Sequence, residues 1–170
     1  MHDSMTGLPN RDLFDDRLSN AISLAQRHDW MLAVMFLDLN GFKTINDTHG
    51  HAVGDSVLKE VARRLSERSR DEDTVCRNGG DEFLYLLVDP RDKESIGRIA
   101  DLVSVNIAKP IAVGGRQFVV NASIGVAVYP VDGTTGDELI KSAYTAMYRA
   151  KKHGSGRMFF EPVEKESVPA

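Results

Sequence analysis

The sequence predicts an α+β fold in which helices pack on a largely antiparallel sheet. Three observations carry that expectation. Trp30 to Leu39 is a continuous apolar run closing on Asp38, Leu39, Asn40 and Gly41, which suits a central strand covered on both faces with a carboxylate at its carboxyl end. Asn78-Gly79-Gly80-Asp81 lies between two strand-like runs and is a strong hairpin signal. Around both, strand patterns alternate with segments of helical periodicity.

The elements follow in order. Asn10 or Asp12 caps a first helix whose apolar positions Phe14, Leu18, Ile22 and Ala25 recur at helical spacing. After the central strand, Gly41 to Gly54 is polar and punctuated by glycine, with a short helical turn at Thr44 to Asp47. Asp55 to Arg68 reads as a helix with Val57, Leu58, Val61, Ala62 and Leu65 inward. Thr74 to Arg77 and Glu82 to Val88 are the hairpin strands, and Ser95 to Ala108 is a further amphipathic helix. A Gly114-Gly115 turn leads into one long strand, Gln117 to Val128. Asp137 to Lys152 is the last long helix and Arg157 to Phe160 a short closing strand. Residues 1–160 thus form one domain; the polar stretch Glu161 to Ala170, with two prolines, is expected to fray or to link onward.

Bulk properties narrow the function. A chain of 170 residues is one domain's worth and buries about 70% of its unfolded surface. Net charge is −4, from 21 basic and 25 acidic residues, and no basic stripe stands out, which excludes bulk attraction to nucleic acid. A small polyphosphate remains within reach of locally placed lysines, backbone amides and metal ions. The single cysteine, Cys76, excludes an intrachain disulfide and fits a reducing compartment. The longest apolar run, Trp30 to Leu37, falls short of the about 20 residues that cross a bilayer. Met1-His2-Asp3-Ser4 lacks the regions of a signal peptide. A cytoplasmic domain without membrane contact is expected, and a membrane-anchored parent protein stays compatible with it.

Several residue types point to chemistry. In Gly79-Gly80-Asp81-Glu82 the glycines permit a tight turn and close approach of a ligand, and two carboxylates follow; the same four residues also suit a solvated turn. Asp38 ends a strand otherwise too apolar to hold an acid, so it needs a partner, and a hard cation shared with Asp81 would serve. Lys43, on the loop opening with Gly41, suits phosphate. Asn46 and Asp55 bracket the polar segment; a carboxylate and a carboxamide match a guanine edge, while a turn residue and a helix cap are the plainer readings. His49 and His51 lack a matching ligand cluster for structural zinc. Cys76 reads as a packed strand residue rather than a nucleophile.

Taken together the motifs resemble the GGDEF family of diguanylate cyclases over nearly the whole chain. They stand in family order: Asp3 to Arg11, Asp38 to Lys43, Asn46-Asp47, Gly50-His51, Gly54-Asp55, Arg77 to Phe83, Ala122 to Ala127, and Ala146 to Lys151. The resemblance implies a sheet like the palm of nucleotidyl cyclases and polymerases, a ferredoxin-like arrangement. It implies that Asp38, the Leu39 carbonyl and Asp81 hold Mg²⁺, with Mn²⁺ as an alternative. Asp81 would also deprotonate or orient the attacking 3′-hydroxyl, supported by Glu82. Gly41, Phe42, Lys43 and Lys151 would hold phosphates, and Asn46 and Asp55 would read guanine.

The implied reaction condenses two GTP into cyclic di-GMP and pyrophosphate across a homodimer, each protomer holding one GTP. Arg70-x-x-Asp73, five residues before Gly79, is similar to the family's product-inhibition motif. The endings Tyr129-Pro130 and Ala146-Met147-Tyr148 resemble GGDEF domains fused to an EAL phosphodiesterase domain, so sensor or EAL domains are expected in the parent chain. Ser155 and Gly156 stand where the family often has a basic residue and asparagine, and Tyr144 where it often has aspartate. The competing reading is a catalytically silent module that binds GTP or cyclic di-GMP.

Overall fold

The computed structural model describes residues 1–162. The elements are α1 (Arg11–His28), β1 (Leu32–Asn40), α2 (Phe42–His49), α3 (His51–Arg68), β2 (Thr74–Gly79), β3 (Glu82–Val88), α4 (Lys93–Ile107), β4 (Ile111–Val113), β5 (Arg116–Phe118), β6 (Asn121–Tyr129), α5 (Gly136–His153) and β7 (Arg157–Phe159). Five strands form the main sheet in the order β2-β3-β1-β6-β7. All neighbours in it are antiparallel except β6 and β7, which run parallel. The expected α+β class with a largely antiparallel sheet is what the chain adopts.

β1 lies at the centre, as its unbroken apolar run requires. Its alternation divides it between two cores: Ala33, Met35, Leu37 and Leu39 face α3 and α4, whereas Leu32, Val34 and Phe36 face α1 and α5. α1 begins where Asn10 caps it, its side chain accepting from the Leu13 amide at 3.0 Å. α5 begins with a capping box, Thr135 and Glu138 bonding reciprocally. α5 lies directly on β6 because Gly125 has no side chain: a Cβ there would stand 2.0 Å from the Ala143 carbonyl oxygen.

Three expectations need correction. The turn at Thr44 to Asp47 is a two-turn helix, α2, which opens at Gly41 in the left-handed region (φ 78°). α3 starts at His51 rather than Asp55, so Asp55 lies inside the helix and caps nothing. Gly54 had read as a break, yet it is buried in α3 where Asn46 of α2 presses on it. The long strand Gln117 to Val128 is two strands in different sheets. β5 folds back on β4 across Gly114-Gly115, and only β6 joins the main sheet. In-and-out alternation of exposure continues through the junction at Val119 and Val120, which is why the sequence reads as one strand. The expected fraying of Glu161 to Ala170 falls, from residue 163 on, outside the described residues.

One stabilising contact had no sequence signature. Arg64 on α3 is buried and donates to the carbonyls of Asn106, Ile107 and Lys109 through Nη1 and of Pro110 through Nη2, while Nε meets Glu60 at 2.8 Å. These carbonyls include the end of α4, which lacks helical donors. Arg64→Leu leaves them unpaired and is expected to cost about 3 kcal/mol. A urea titration measures it; an unchanged midpoint would show that the clamp contributes nothing.

Candidate functional site

β1 and β3 bring the acids to one rim of the sheet. Strand alternation puts Asp38 on the same face as Val34 and Phe36, toward α5. Its cross-strand partner on β3 is Glu82, and the Asp81 carbonyl accepts from the Leu39 amide at 3.2 Å. Asp38 is buried, and its Oδ2 accepts from Lys151 Nζ, in the last turn of α5, at 2.6 Å. That hydrogen bond holds the Lys151 ammonium above its usual pKa. Burial, and then the charge of Asp38, push the Asp81 carboxyl from 3.8 up to about 6.

Two carboxylates this close repel unless a cation lies between them. Asp38, Asp81 and the Leu39 carbonyl are hard oxygen donors, the set that suits a divalent ion of the Mg²⁺ type, with remaining positions left to phosphate or water. Among the described residues no three His, Cys, Asp or Glu side chains group into a ready-made metal cage. An ion here would need further oxygens, from the backbone or from ligand and water.

Beside the acids, α2 opens at Gly41 without a side-chain cap, so the amides of its first turn are free of intrahelical partners. Lys43 is exposed in this turn. Together they form an anion cradle. Asn46, one turn further on, has its Oδ1 buried with no hydrogen-bond partner. A Cβ on Gly54 would stand 1.7 Å from that oxygen, so only glycine lets α3 close on it and bring Asp55 alongside. The orphaned carboxamide oxygen thus lies against α3 at Gly54, one residue before the partly buried Asp55.

Arg70 and Asp73 stand apart from this rim and pair with each other. Arg70 Nε and Nη2 each donate to the Asp73 carboxylate at 3.0 Å, and Nη2 also donates to the Val88 carbonyl at 2.7 Å. Asp73 further accepts from the amides of Arg70 and Val88. Its side chain is 2% exposed against 46% for Arg70. Asp73 thus orients the arginine, with its own carboxylate covered.

Sequence reading left other participants without roles. Arg77 donates to the Gly80 carbonyl at 3.0 Å and meets Asp3 at 3.3 Å, fastening the amino-terminal loop to the signature turn. Asp3 also accepts from the Thr6 amide and hydroxyl. Arg77 and Asp3 both sit inside recognisable motifs, but 74 residues of separation hide their contact. Tyr144 packs edge-on against Phe36 at 5.3 Å, filling the face of β1 that leads to Asp38. His49 meets Phe118 edge-on, and Cys76 is buried with its thiol pushed up to about 12, as a packed residue should be.

Residues 1–157 match the family model described as diguanylate cyclase, GGDEF domain. The chain belongs to the GGDEF family. It is similar to the bifunctional diguanylate cyclase/cyclic di-GMP phosphodiesterase MucR of Pseudomonas aeruginosa, 46% identical over 95% of this chain and 24% of that protein. It is also similar to the diguanylate cyclase TpbB of the same organism, at 42% identity over 91% of this chain and 36% of TpbB. The chain therefore spans about a quarter to a third of these relatives. The solved GGDEF domain of TpbB superposes with a TM-score of 0.92, covering 95% of both chains at 42% identity. That of DgcB from Caulobacter crescentus, in complex with c-di-GMP, gives 0.85 over 94% of both at 25% identity. No helix among the described residues is long and apolar enough to cross a membrane.

The raised Asp81 pKa has a testable sign. Between pH 3.8 and about 6 the metal-free folded state keeps a proton that the unfolded chain has lost. Stability contributed by Asp81 is therefore full at low pH and declines as pH rises through that interval. The parent should lose stability relative to Asp81→Asn over this range, measured by thermal melting without divalent ions. A constant difference from pH 4 to 7 would contradict the shift.

Proposed function

We propose that this GGDEF domain, residues 1–160, is a diguanylate cyclase that condenses two GTP into cyclic di-GMP and pyrophosphate as a homodimer. The observation that carries this reading is the buried Asp38 facing the Asp81 turn, with Lys151 on one side and the open start of α2 on the other. Mg²⁺, or Mn²⁺ in its place, would be held by Asp38, Asp81 and the Leu39 carbonyl, and would stabilise charge on the entering and leaving oxygens.

The chain's own groups supply the rest. The Gly41, Phe42 and Lys43 amides and the Lys43 ammonium bind phosphate oxygens, and Lys151 would join them. Asn46 and Asp55 hold guanine where α2 meets α3. A site built on these polar groups rejects a base that leaves them unpaired. Asp81 deprotonates or orients the attacking 3′-hydroxyl, with Glu82 beside it. One such site binds one GTP, so the second comes from a facing protomer. MucR and TpbB support the activity by likeness, and MucR's second activity supports a phosphodiesterase domain of the EAL type in the parent chain. The cytoplasm, where GTP is available, is the compartment this reading requires.

Purified protein incubated with GTP and Mg²⁺ should yield cyclic di-GMP on nucleotide chromatography, and ATP should yield no product. Asp38→Ala and Asp81→Ala should each lower turnover by more than about 100-fold while staying folded. A folded variant with parental turnover would remove that residue from the site.

We also propose that Arg70 anchors cyclic di-GMP as a feedback ligand. Its exposed guanidinium keeps charge at any working pH, and Asp73 holds it in place. Arg70→Ala should relieve product inhibition in progress curves without lowering the initial rate. Equal inhibition in both proteins would leave the pair as a purely structural clamp.

A further inference from the structure

We propose that Asn78 is a positioning residue for the Glu82 carboxylate, and that Arg11 on α1 fixes Asn78 in the orientation this requires. Its consequence for turnover rests on the cyclase reading above; the contact itself does not.

The first observation is a register shift. Arg77 pairs with Phe83, but Gly79 pairs with Glu82, so Asn78 is the extra residue of a bulge with no cross-strand partner. A bulge re-aims the side chain it carries and is common beside active sites. Here Asn78 Nδ2 donates to Glu82 Oε1 at 3.2 Å, and Asn78 Oδ1 accepts from Arg11 Nη1 at 2.9 Å. Arg11 is in turn held by Asp15, one turn along α1, at 2.8 Å.

The chemistry makes this relay directional. A guanidinium only donates, so Arg11 faces the oxygen of the amide and leaves the NH₂ end toward Glu82. With Arg11 removed, only the contact with Glu82 restrains the amide, which is then free to rotate toward solvent. Glu82 then loses a fixed donor. The hairpin backbone does not depend on this contact, because Arg77 separately ties Gly80 and Asp3. Removing the Asn78 side chain therefore perturbs the carboxylate more than the fold.

Asn78→Ala should keep its melting temperature close to the parent's and lower kcat by about tenfold, with KM within about twofold. Asn78→Asp keeps the shape but presents an acceptor to Glu82, so it should fail to rescue kcat. Arg11→Ala should lower kcat as well, and the double variant should equal Asn78→Ala alone, because Arg11 acts through Asn78. Unchanged kcat in folded Asn78→Ala, rescue by Asn78→Asp, or losses that multiply in the double variant would each overturn the proposal. Should the parent make no cyclic di-GMP, the cyclase reading falls and the relay is still read by NMR. The Asn78 side-chain NH₂ signals should shift in both Arg11→Ala and Glu82→Gln, and signals unmoved by either would dismiss it.

Discussion

A carboxylate at the end of a buried central strand has to be matched by positive charge, and the rest of the rim is arranged around that need. Asp38 lies near the end of the central strand, which is covered on both faces, so water is not available to solvate it fully. Lys151 provides such a charge, from the last turn of α5. Asp81 approaches the same spot from the neighbouring hairpin and raises the demand; its own burial, and then the charge of Asp38, hold its proton above the usual range. Two acids and one lysine are an unbalanced set. A divalent ion with an anionic ligand balances it, the ion taking the acids and the lysine taking the anion.

The antiparallel pairing of β1 with β3 is what makes the set possible. It places the carboxyl end of β1 beside the start of β3, so Asp38 stands opposite Glu82 without any loop to position them. The turn before Glu82 then needs holding from outside the sheet. Arg77 grips the Gly80 carbonyl and the amino-terminal loop, while the bulge at Asn78 turns one further side chain toward the acids. The residues flanking the signature thus hold it, and residues ahead of α1 are part of the site's support.

Much of this was legible in the sequence, and the limits have physical causes. β1 declared itself because burial on both faces forbids polar alternation, and β3 because the glycine turn and the apolar run agree on its start. α2 and the beginning of α3 were blurred because Gly41, Gly50 and Gly54 look like loop punctuation. Gly41 and Gly50 do take up positive φ, but Gly54 is helical and is there for close approach. β5 and β6 merged because alternation of side chains says nothing about which sheet a strand joins. Asp38 and Asp81 stood out as acids in apolar or glycine-rich surroundings. Arg64, Arg77 and Asn78 did not, since a surface-type residue that meets a partner far along the chain leaves no local pattern.

The reach of Lys151 depends on a glycine that touches no ligand. α5 packs against β6 at Gly125, where even a methyl group would meet the backbone of Ala143 and Met147. Met147 lies one helical turn before Lys151, so the depth of contact at Gly125 sets how close the lysine comes to the rim. Ala143, Ala146 and Ala150 keep the same face of the helix slender and buried, and Tyr144 packs to Phe36 alongside. A bulkier seam would lift the helix away from the sheet, and a four-carbon stem has little slack to recover the loss. The 2.6 Å contact between Lys151 and Asp38 is thus fixed by helix–sheet packing as much as by attraction between the charges.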